Sequence, residues 1–272
     1  MPTFTHEGIE FHFEDAGSGL PFVFQHGLGG DTTQPFGLFT PPPGIRLLAF
    51  DARAHGKTKP VPSPETLCFR TFGSDLAAFL DRLGVERAIV GGISMGAALA
   101  LHFALRWPDR VVALVLSRPA WLEKPYEWNV RMFSLISSLI RKQGTEQGLA
   151  EFKKTPEYLE ALEKWPDVAT SFTNQFLASG AGETALKLER IILDSPHPDR
   201  QAWSAVKVPT LVLGNQLDPI HPFEFAVELA RAIPGAKLEE ICSKSVSIEQ
   251  HQADVQRVVT QFLRGVLGAS RQ

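Results

Sequence analysis

Ser94 lies in a segment whose residue types and spacing favour nucleophilic chemistry. Residues 92–96 read GISMG, a Gly-x-Ser-x-Gly pattern that follows an apolar run and precedes a stretch rich in alanine and leucine. A sharp turn from a strand into a helix would expose the serine hydroxyl, and the flanking glycines would make room for the tight backbone. The amides and the positive dipole end of that helix would stabilise a developing oxyanion. We therefore predict that Ser94 is a nucleophile.

The segments that would position Ser94 alternate between buried strands and amphipathic helices. Short, mostly apolar runs suit strands that are covered on both faces, and they occur at residues 22–24, 46–50, 88–90, 111–116 and 209–213. Apolar residues recur with helical spacing between these runs, for example from Phe72 to Leu83, where Gly84 is a suitable stop signal. A second helical pattern runs from Val255 to Val266. This alternation predicts a doubly wound, mostly parallel α/β sheet.

The alternation stops between residues 122 and 195, which show helical spacing without a convincing strand. The stretch is too long for an unstructured loop. We predict a helical cap at 122–195, inserted into a core formed by residues 1–121 and 196–272. Its aromatic residues would pack the cap onto the core, and some would line an apolar pocket above the nucleophile. The candidates for substrate contact are Trp121, Trp128 and Phe133.

Composition narrows the class of protein. The chain of 272 residues is 44% hydrophobic and 21% charged, as is usual for globular proteins. A net charge of −3 leaves no basic surplus for phosphates, so we expect no nucleic-acid partner. The two cysteines are too few for a disulfide framework. Without an apolar leader or a run of about eighteen apolar residues, we expect a cytoplasmic protein, monomeric or homo-oligomeric, with no membrane partner.

Three further motifs occupy strand ends. Residues 25–30 read QHGLGG, residues 50–58 read FDARAHGKT and residues 213–222 read LGNQLDPIHP. Together with the Ser94 turn, they resemble the α/β-hydrolase superfamily, in particular its capped serine esterases and lactonases. Ala54 stands where the family more often has glycine. The resemblance covers nearly the whole chain and implies the α/β-hydrolase fold with a cap.

The resemblance also assigns roles to individual residues. It implies an oxyanion hole formed by the backbone amides of Leu28 and Met95, and a structural role for His26. Asp218 would be the acidic member of a triad, because it follows a strand in the chain order serine, acid, histidine. In the alternative interpretation Asp218 is an ordinary turn residue. Two later carboxylates are weaker candidates: Glu249 and Asp254.

The chain departs from the family at the histidine that should take the proton from Ser94. The family places this histidine after the last strand, here residues 237–241, but the following loop reads CSKSVS at 242–247 and contains none. His251 comes next along the chain and is the predicted base, provided that residues 247–250 fold back toward Asp218. In the opposing interpretation His251 is an exposed residue in the first turn of the last helix.

The other candidates for the base fit less well. His221 is three residues beyond Asp218, which we expect to be too local for its ring to lie between Asp218 and Ser94. His102 would lie about 12 Å along the helix from Ser94, out of reach. Lys244 stands near the expected position, but Asp218 would stabilise its charged form. The remaining histidines are His6, His12, His26, His55 and His197, of which His197 lies where the cap rejoins the core.

We therefore predict a serine hydrolase that cleaves a carboxylic ester or lactone with an apolar moiety through an acyl-enzyme on Ser94. His251 would be the base and Asp218 would orient it. The small ester or lactone is the expected partner, and the resemblance implies neither a metal nor an organic cofactor. Two alternatives stay open: a hydrolase-like ligand-binding protein that lacks a working histidine, and an acyltransferase that uses the same residues.

Overall fold

An eight-stranded sheet forms the centre of the protein in the computed structural model, which describes residues 2–269. Its strands lie in the order β1-β2-β4-β3-β5-β6-β7-β8. They are β1 (Thr3–His6), β2 (Ile9–Gly17), β3 (Gly19–Gln25), β4 (Gly44–Phe50), β5 (Ala88–Ile93), β6 (Val111–Ser117), β7 (Thr210–Gly214) and β8 (Lys237–Glu240). Strand β2 pairs antiparallel with β1 and β4, whereas the pairs from β4 to β8 are parallel. The predicted doubly wound, mostly parallel sheet is confirmed.

Helices cover both faces of this sheet. They are α1 (Thr33–Leu38), α2 (Phe69–Arg82), α3 (Met95–Arg106), α4 (Glu127–Phe152), α5 (Pro156–Lys164), α6 (Pro166–Leu177), α7 (Ala181–Thr184), α8 (Lys187–Arg190), α9 (Phe223–Ala232) and α10 (Ile248–Ala269). Short 3-10 turns lie at Pro64–Thr66, Pro108–Arg110, Ile191–Leu193 and Arg200–Ala205. Within residues 2–269, no helix combines the length and the apolar character needed to cross a bilayer.

The central strands divide their side chains between two cores. Val23 of β3 packs into the core that contains α2, α3 and α9, while its neighbours Phe22 and Phe24 pack into the core that contains α10. Alternate strand residues point to opposite faces of a sheet. Because both faces are covered, the strands read in the sequence as continuous apolar runs rather than as an alternating pattern.

Helices α4 to α8 all lie between β6 and β7, in the stretch predicted as a cap. Their aromatic rings pack on one another: the ring centroid of Phe172 lies 5.8 Å from that of Phe133 and 5.9 Å from that of Phe152. The side-chain amide of Asn129 in α4 donates to the carbonyl oxygen of Ile220, which ties the insertion to the loop after β7. The exact domain boundaries at 122 and 195 stay a prediction.

The parallel strands bring several loops to one edge of the sheet. Ile93 of β5 is level with Ser117 of β6, and Ser117 is level with Leu213 of β7. The residues that follow these strand ends are therefore neighbours in space, although they are far apart in the sequence. This edge carries the candidate site, as is usual for ligand sites in parallel α/β sheets.

Candidate active site

Ser94 occupies a strained turn between β5 and α3. Its backbone angles are φ 57° and ψ −108°, a conformation that costs a residue with a side chain about 1–3 kcal/mol. A Cβ atom at Gly92 would lie 2.4 Å from the backbone carbonyl carbon of Gly96, and one at Gly96 would lie 2.3 Å from the carbonyl oxygen of Gln25. The packing leaves no room for a side chain at either glycine. This agrees with the expectation that the Gly-x-Ser-x-Gly motif needs glycine at both positions because the backbone is tight.

The imidazole that contacts Ser94 belongs to His221. Its Nε2 atom lies 2.9 Å from Ser94 Oγ, and its Nδ1 atom lies 2.9 Å from Asp218 Oδ2 and 3.0 Å from Asp218 Oδ1. An ionised carboxylate only accepts hydrogen bonds, so Nδ1 carries the proton and donates it to Asp218. Nε2 is then free to accept the hydrogen bond from the Ser94 hydroxyl. The hydroxyl of Ser94, the imidazole of His221 and the carboxylate of Asp218 are thus linked by consecutive hydrogen bonds.

A tight turn explains how His221 reaches both groups. Its backbone amide donates to the main-chain oxygen of Asp218 at 3.2 Å and to the side-chain oxygen Oδ1 at 3.3 Å. A four-residue turn brings its first and last residues side by side. The expectation that His221 is too close to Asp218 in the sequence was therefore wrong, since the turn folds the ring back over the carboxylate. Asn129 holds this turn through the carbonyl oxygen of Ile220.

His251 does not take the position predicted for it. Residues 247–250 do not fold back, because α10 begins at Ile248 and includes His251 in its first turn. The His251 ring is fully buried, and its Nδ1 atom donates to the carbonyl oxygen of Cys242 at 2.8 Å. Its Nε2 atom has no hydrogen-bond partner in the described part of the chain. His251 therefore supports the loop after β8, and the prediction that it contacts Ser94 is corrected.

The other predicted carboxylates also lie away from His221. Glu249 is exposed on α10. Asp254 accepts a hydrogen bond from the backbone amide of Cys242 at 3.0 Å. Of the three carboxylates considered from the sequence, Asp218 is the one that contacts the imidazole.

Arg118 is a site residue to which the sequence reasoning gave no role. It follows β6 directly, is buried, and has a positive φ of 51°. Its Nε and Nη2 atoms donate to Asp218 Oδ2 at 3.2 Å and 2.7 Å. One feature of the sequence could have indicated Arg118. It stands at the end of a predicted strand, and that strand lies beside the strand that leads to Ser94.

Charge and burial set the protonation states of Asp218 and His221. Burial by itself would raise the pKa of Asp218, but the charges and hydrogen bonds of His221 and Arg118 outweigh it and hold that pKa well below its usual value. Burial lowers the pKa of His221, and the charges of Arg118 and Lys244 lower it further against the opposing effect of Asp218. At neutral pH the carboxylate is therefore ionised, and the imidazole is neutral and able to accept a proton.

A small cavity of about 80 Å³ lies in front of Ser94 and His221. Of the three aromatic residues predicted to contact substrate, Trp121 and Phe133 line this cavity. Trp128 is not among its described lining residues; its ring lies 5.8 Å from that of Phe172, so it packs within the helical insertion.

The two predicted oxyanion donors belong to a residue of the cavity wall and to the residue that follows Ser94 in the chain. Leu28 lines the cavity, in a loop that two side chains hold. Gln34 Oε1 accepts from the Gly27 amide at 2.6 Å, and Gln175 Nε2 donates to the Leu28 carbonyl oxygen at 3.3 Å. Met95 is the first residue of α3, so its amide is one of the groups at a helix start that have no partner within the helix. Both amides are thus placed near the nucleophile, and their function as donors stays a prediction.

His26 and a cluster of His6, Glu7 and Asp75 contain residue types that can take part in catalysis or metal binding, but their contacts explain them as structural groups. His26 donates from Nδ1 to the carbonyl oxygen of Gly27 and accepts from the amide of Ala52 at Nε2, so it braces the loop before Leu28. His6, Glu7 and Asp75 could together offer metal ligands. The guanidinium of Arg53 instead donates to Glu7 at 2.6 Å and to Asp75 at 2.7 and 2.8 Å, which supplies the positive charge of that cluster.

The fold and the site define a class of protein: a mostly parallel α/β sheet whose strand-to-helix turn presents a serine to a histidine and an aspartate. The sequence model of the alpha/beta hydrolase fold family matches residues 21–245. The chain belongs to this family.

Individual relatives extend over nearly the whole chain. The AB hydrolase superfamily protein YisY of Bacillus subtilis is 29% identical over 248 residues, which cover 86% of this chain and 87% of that protein. A thermophilic esterase from Thermogutta terrifontis superposes with a TM-score of 0.70 at 25% identity, covering 97% of each chain. An enol-lactonase from Burkholderia xenovorans has a TM-score of 0.72 at 24% identity, covering 97% of this chain and 100% of its own.

Proposed function

We propose that the protein is a serine hydrolase that cleaves a small carboxylic ester or lactone through an acyl-enzyme on Ser94. The observation that carries this proposal is the contact of 2.9 Å between His221 Nε2 and Ser94 Oγ, with His221 Nδ1 held by Asp218. Serine by itself is a poor nucleophile, and it becomes reactive when an oriented imidazole accepts its proton.

In the proposed reaction, each of these groups has a role. As Ser94 Oγ attacks the carbonyl carbon, its proton passes to His221 Nε2, and Asp218 stabilises the imidazolium that forms. The amides of Leu28 and Met95 donate hydrogen bonds to the carbonyl oxygen as it becomes negatively charged. The imidazolium then protonates the leaving alkoxide. Water repeats the attack on the acyl-enzyme, with His221 again as the base, and releases the acid.

Two observations support an ester or lactone as the substrate. The esterase from Thermogutta terrifontis resembles this chain over nearly its full length. The cavity of about 80 Å³ is far smaller than the roughly 300–1,000 Å³ of pockets for drug-sized ligands, so it suits a short acyl group. The reason for considering a binding protein without a base was the absence of histidine from residues 242–247, and His221 now offers a base from another loop.

A fluorophosphonate probe tests this proposal directly, because it labels a serine only when the hydroxyl is activated. We expect wild-type protein to be labelled on the peptide that contains Ser94, and Ser94→Ala to remain unlabelled. Hydrolysis of short-chain p-nitrophenyl esters, small lactones and a matched p-nitroanilide then defines the bond that is cleaved.

The possible outcomes separate the proposed function from its alternatives. Absence of labelling on Ser94 in folded protein would overturn the hydrolase proposal. Labelling with faster cleavage of the anilide than of the ester would replace ester cleavage with amide cleavage. Product analysis in the presence of an added alcohol distinguishes a hydrolase, which releases the acid, from an acyltransferase, which forms a new ester.

A further inference from the structure

Lys244 is a mostly buried cation in the wall of the Ser94 cavity. It belongs to the loop after β8, in the region where the family histidine was expected. Its ammonium forms no hydrogen bond or ion pair with any residue in the described part of the chain. Asp167 of α6 is near enough to affect it, but the carboxylate of Asp167 accepts instead from the hydroxyl of Ser245. A buried charge without a partner is unfavourable, so a cation in this position favours an anionic ligand.

The polar side chains around Lys244 complement negative charge. Gln34 lines the same cavity, and its Oε1 atom accepts from the Gly27 amide, so its NH₂ group is the end that can donate to a ligand. Arg118 lines the cavity as well, but its charge is paired with Asp218, so Lys244 supplies the positive charge that a ligand would meet. In the described part of the chain, no aspartate or glutamate lines this cavity. The cavity therefore offers donors and positive charge beside its apolar wall.

Lys244 also forms part of the boundary between this cavity and a second one. An outer cleft of about 260 Å³ is lined by residues that include Leu38, Ile248 and Gln252. Lys244, Gln34 and Ile93 line both spaces. A substrate that enters from the outer cleft would thus meet the ammonium of Lys244 before its carbonyl group reaches Ser94.

We propose that the substrate carries a carboxylate in addition to its ester or lactone carbonyl, and that Lys244 binds this carboxylate at the junction of the two cavities. This inference rests on the proposed function at Ser94, and it adds a charged group to the expected ester or lactone with an apolar moiety. The apolar residues Trp121 and Phe133 contact the carbon chain, while Lys244 selects the charged end. Lys244 is a specificity-determining residue that takes no part in proton transfer from Ser94.

Burial and the neighbouring charges tune Lys244 for this role. Burial and the charge of Arg118 together lower the pKa of Lys244 to about 8, against the opposing effect of Asp167 and Asp218. His221 and His251 also interact with Lys244, and both have lowered pKa values, so they add little positive charge at neutral pH. The ammonium is therefore charged below a pH of about 8. The selection for a carboxylate is expected to weaken as the pH rises through that value.

Monomethyl succinate and dimethyl succinate provide matched substrates, since they share one carbon chain and differ in charge. We expect wild-type kcat/KM to be at least about tenfold higher for the monoester, and Lys244→Met to lower it about 30- to 100-fold for the monoester alone. Lys244→Arg keeps the charge and is expected to retain part of the preference. The control variant Lys237→Met removes a charge from the exposed strand β8 and should change neither rate.

Two results would overturn the inference while leaving the proposed hydrolase intact. One is equal or faster hydrolysis of the diester by the wild type at pH 7. The other is an equal loss on both esters in Lys244→Met, which would indicate a structural role for this side chain.

A binding measurement keeps the inference testable if no variant hydrolyses either ester. Calorimetric titration of Ser94→Ala with monomethyl succinate is expected to show binding that weakens about 30-fold when Lys244→Met is added. Binding with this dependence, together with an inert wild type, would mean that the carboxylate site is correct and the proposed reaction is wrong. Binding that is the same for monoester and diester would overturn the carboxylate site itself.

Discussion

Replacement of His221 by alanine is the most direct test of the site. If His221 is the base, this variant loses activity and His251→Ala keeps it, whereas the reverse is expected if His251 is the base. His221 supplies the imidazole nitrogen that lies 2.9 Å from Ser94 Oγ. Its removal leaves the hydroxyl without a base, so kcat is expected to fall by a factor of about 10⁴ to 10⁶ with little change in KM. At about 1.4 kcal/mol for each factor of ten, the transition state would lose about 5–8 kcal/mol of stabilisation.

His251→Ala is the matched control, since it removes a second buried imidazole. His251 donates one hydrogen bond to the carbonyl oxygen of Cys242 and fills space beneath the loop after β8. Its loss leaves a cavity and an unpaired carbonyl group, so the free energy of unfolding should fall by about 2–4 kcal/mol. The folded variant should keep kcat within about threefold of the wild type, because no reacting atom loses a contact.

Steady-state hydrolysis of p-nitrophenyl acetate and urea unfolding measure both effects in the same preparations. The expected pattern is an inactive, stable His221→Ala and an active, less stable His251→Ala. The reasoning is refuted if His221→Ala keeps more than about one hundredth of the wild-type kcat. If His251→Ala were inactive while fully folded, His251 would instead be the base, and the loop after β8 would have to rearrange when substrate binds.

The pKa of His221, the contact of Arg118 with Asp218 and the packing at Gly96 each have a measurable consequence. Because the pKa of His221 is lowered and its neutral form is the base, kcat/KM should fall on the acid side only below about pH 6.5, which a pH profile with an acid-stable ester would measure. Arg118→Met should move this fall to higher pH, because the guanidinium no longer opposes the imidazolium. It should also lower the free energy of unfolding by about 3–5 kcal/mol, since it removes a buried partner of Asp218. Gly96→Ala should lower that free energy by at least about 3 kcal/mol in urea unfolding, because the new Cβ would meet the carbonyl oxygen of Gln25 at 2.3 Å.

Each of these predictions has an outcome that would contradict it. A fall in activity that begins well above pH 6.5 would show that burial does not dominate the pKa of His221. An unchanged pH profile in Arg118→Met would remove Arg118 from the electrostatics of the site. For Gly96→Ala the control is Gly265→Ala, where a Cβ meets nothing within 4 Å, and this variant should be as stable as the wild type or up to about 1 kcal/mol more stable. Similar losses in both variants would contradict the steric argument.

Local sequence patterns were sufficient for the elements around Ser94. The apolar runs at residues 88–90 and 111–116 lie within β5 and β6, and the helical spacing from Phe72 to Leu83 corresponds to α2. Gly84 follows that helix with a φ of +65°, as a helix stop does. These predictions held because buried strands leave continuous apolar runs and helices leave a periodic apolar pattern, and both signals lie within neighbouring residues. The antiparallel pair β1 and β2 was not predicted as part of the sheet. It is a local hairpin in which His6 pairs with Ile9, but its attachment to the sheet depends on the pairing of β2 with β4, which is distant in the sequence.

The sequence by itself thus determined the sheet, the strained turn at Ser94 and the position of Asp218 after β7. It also revealed that residues 242–247 contain no histidine, but it did not identify the histidine that contacts Ser94. That choice depended on a turn that folds His221 over Asp218, and on α10 starting early enough to bury His251 under Cys242. Arg118 and Lys244 likewise gained their positions from the side-by-side order of β5, β6, β7 and β8. Such proximity arises from hydrogen bonding between distant segments, which leaves no local pattern in the sequence, and therefore only the tertiary structure decided which side chains share the site.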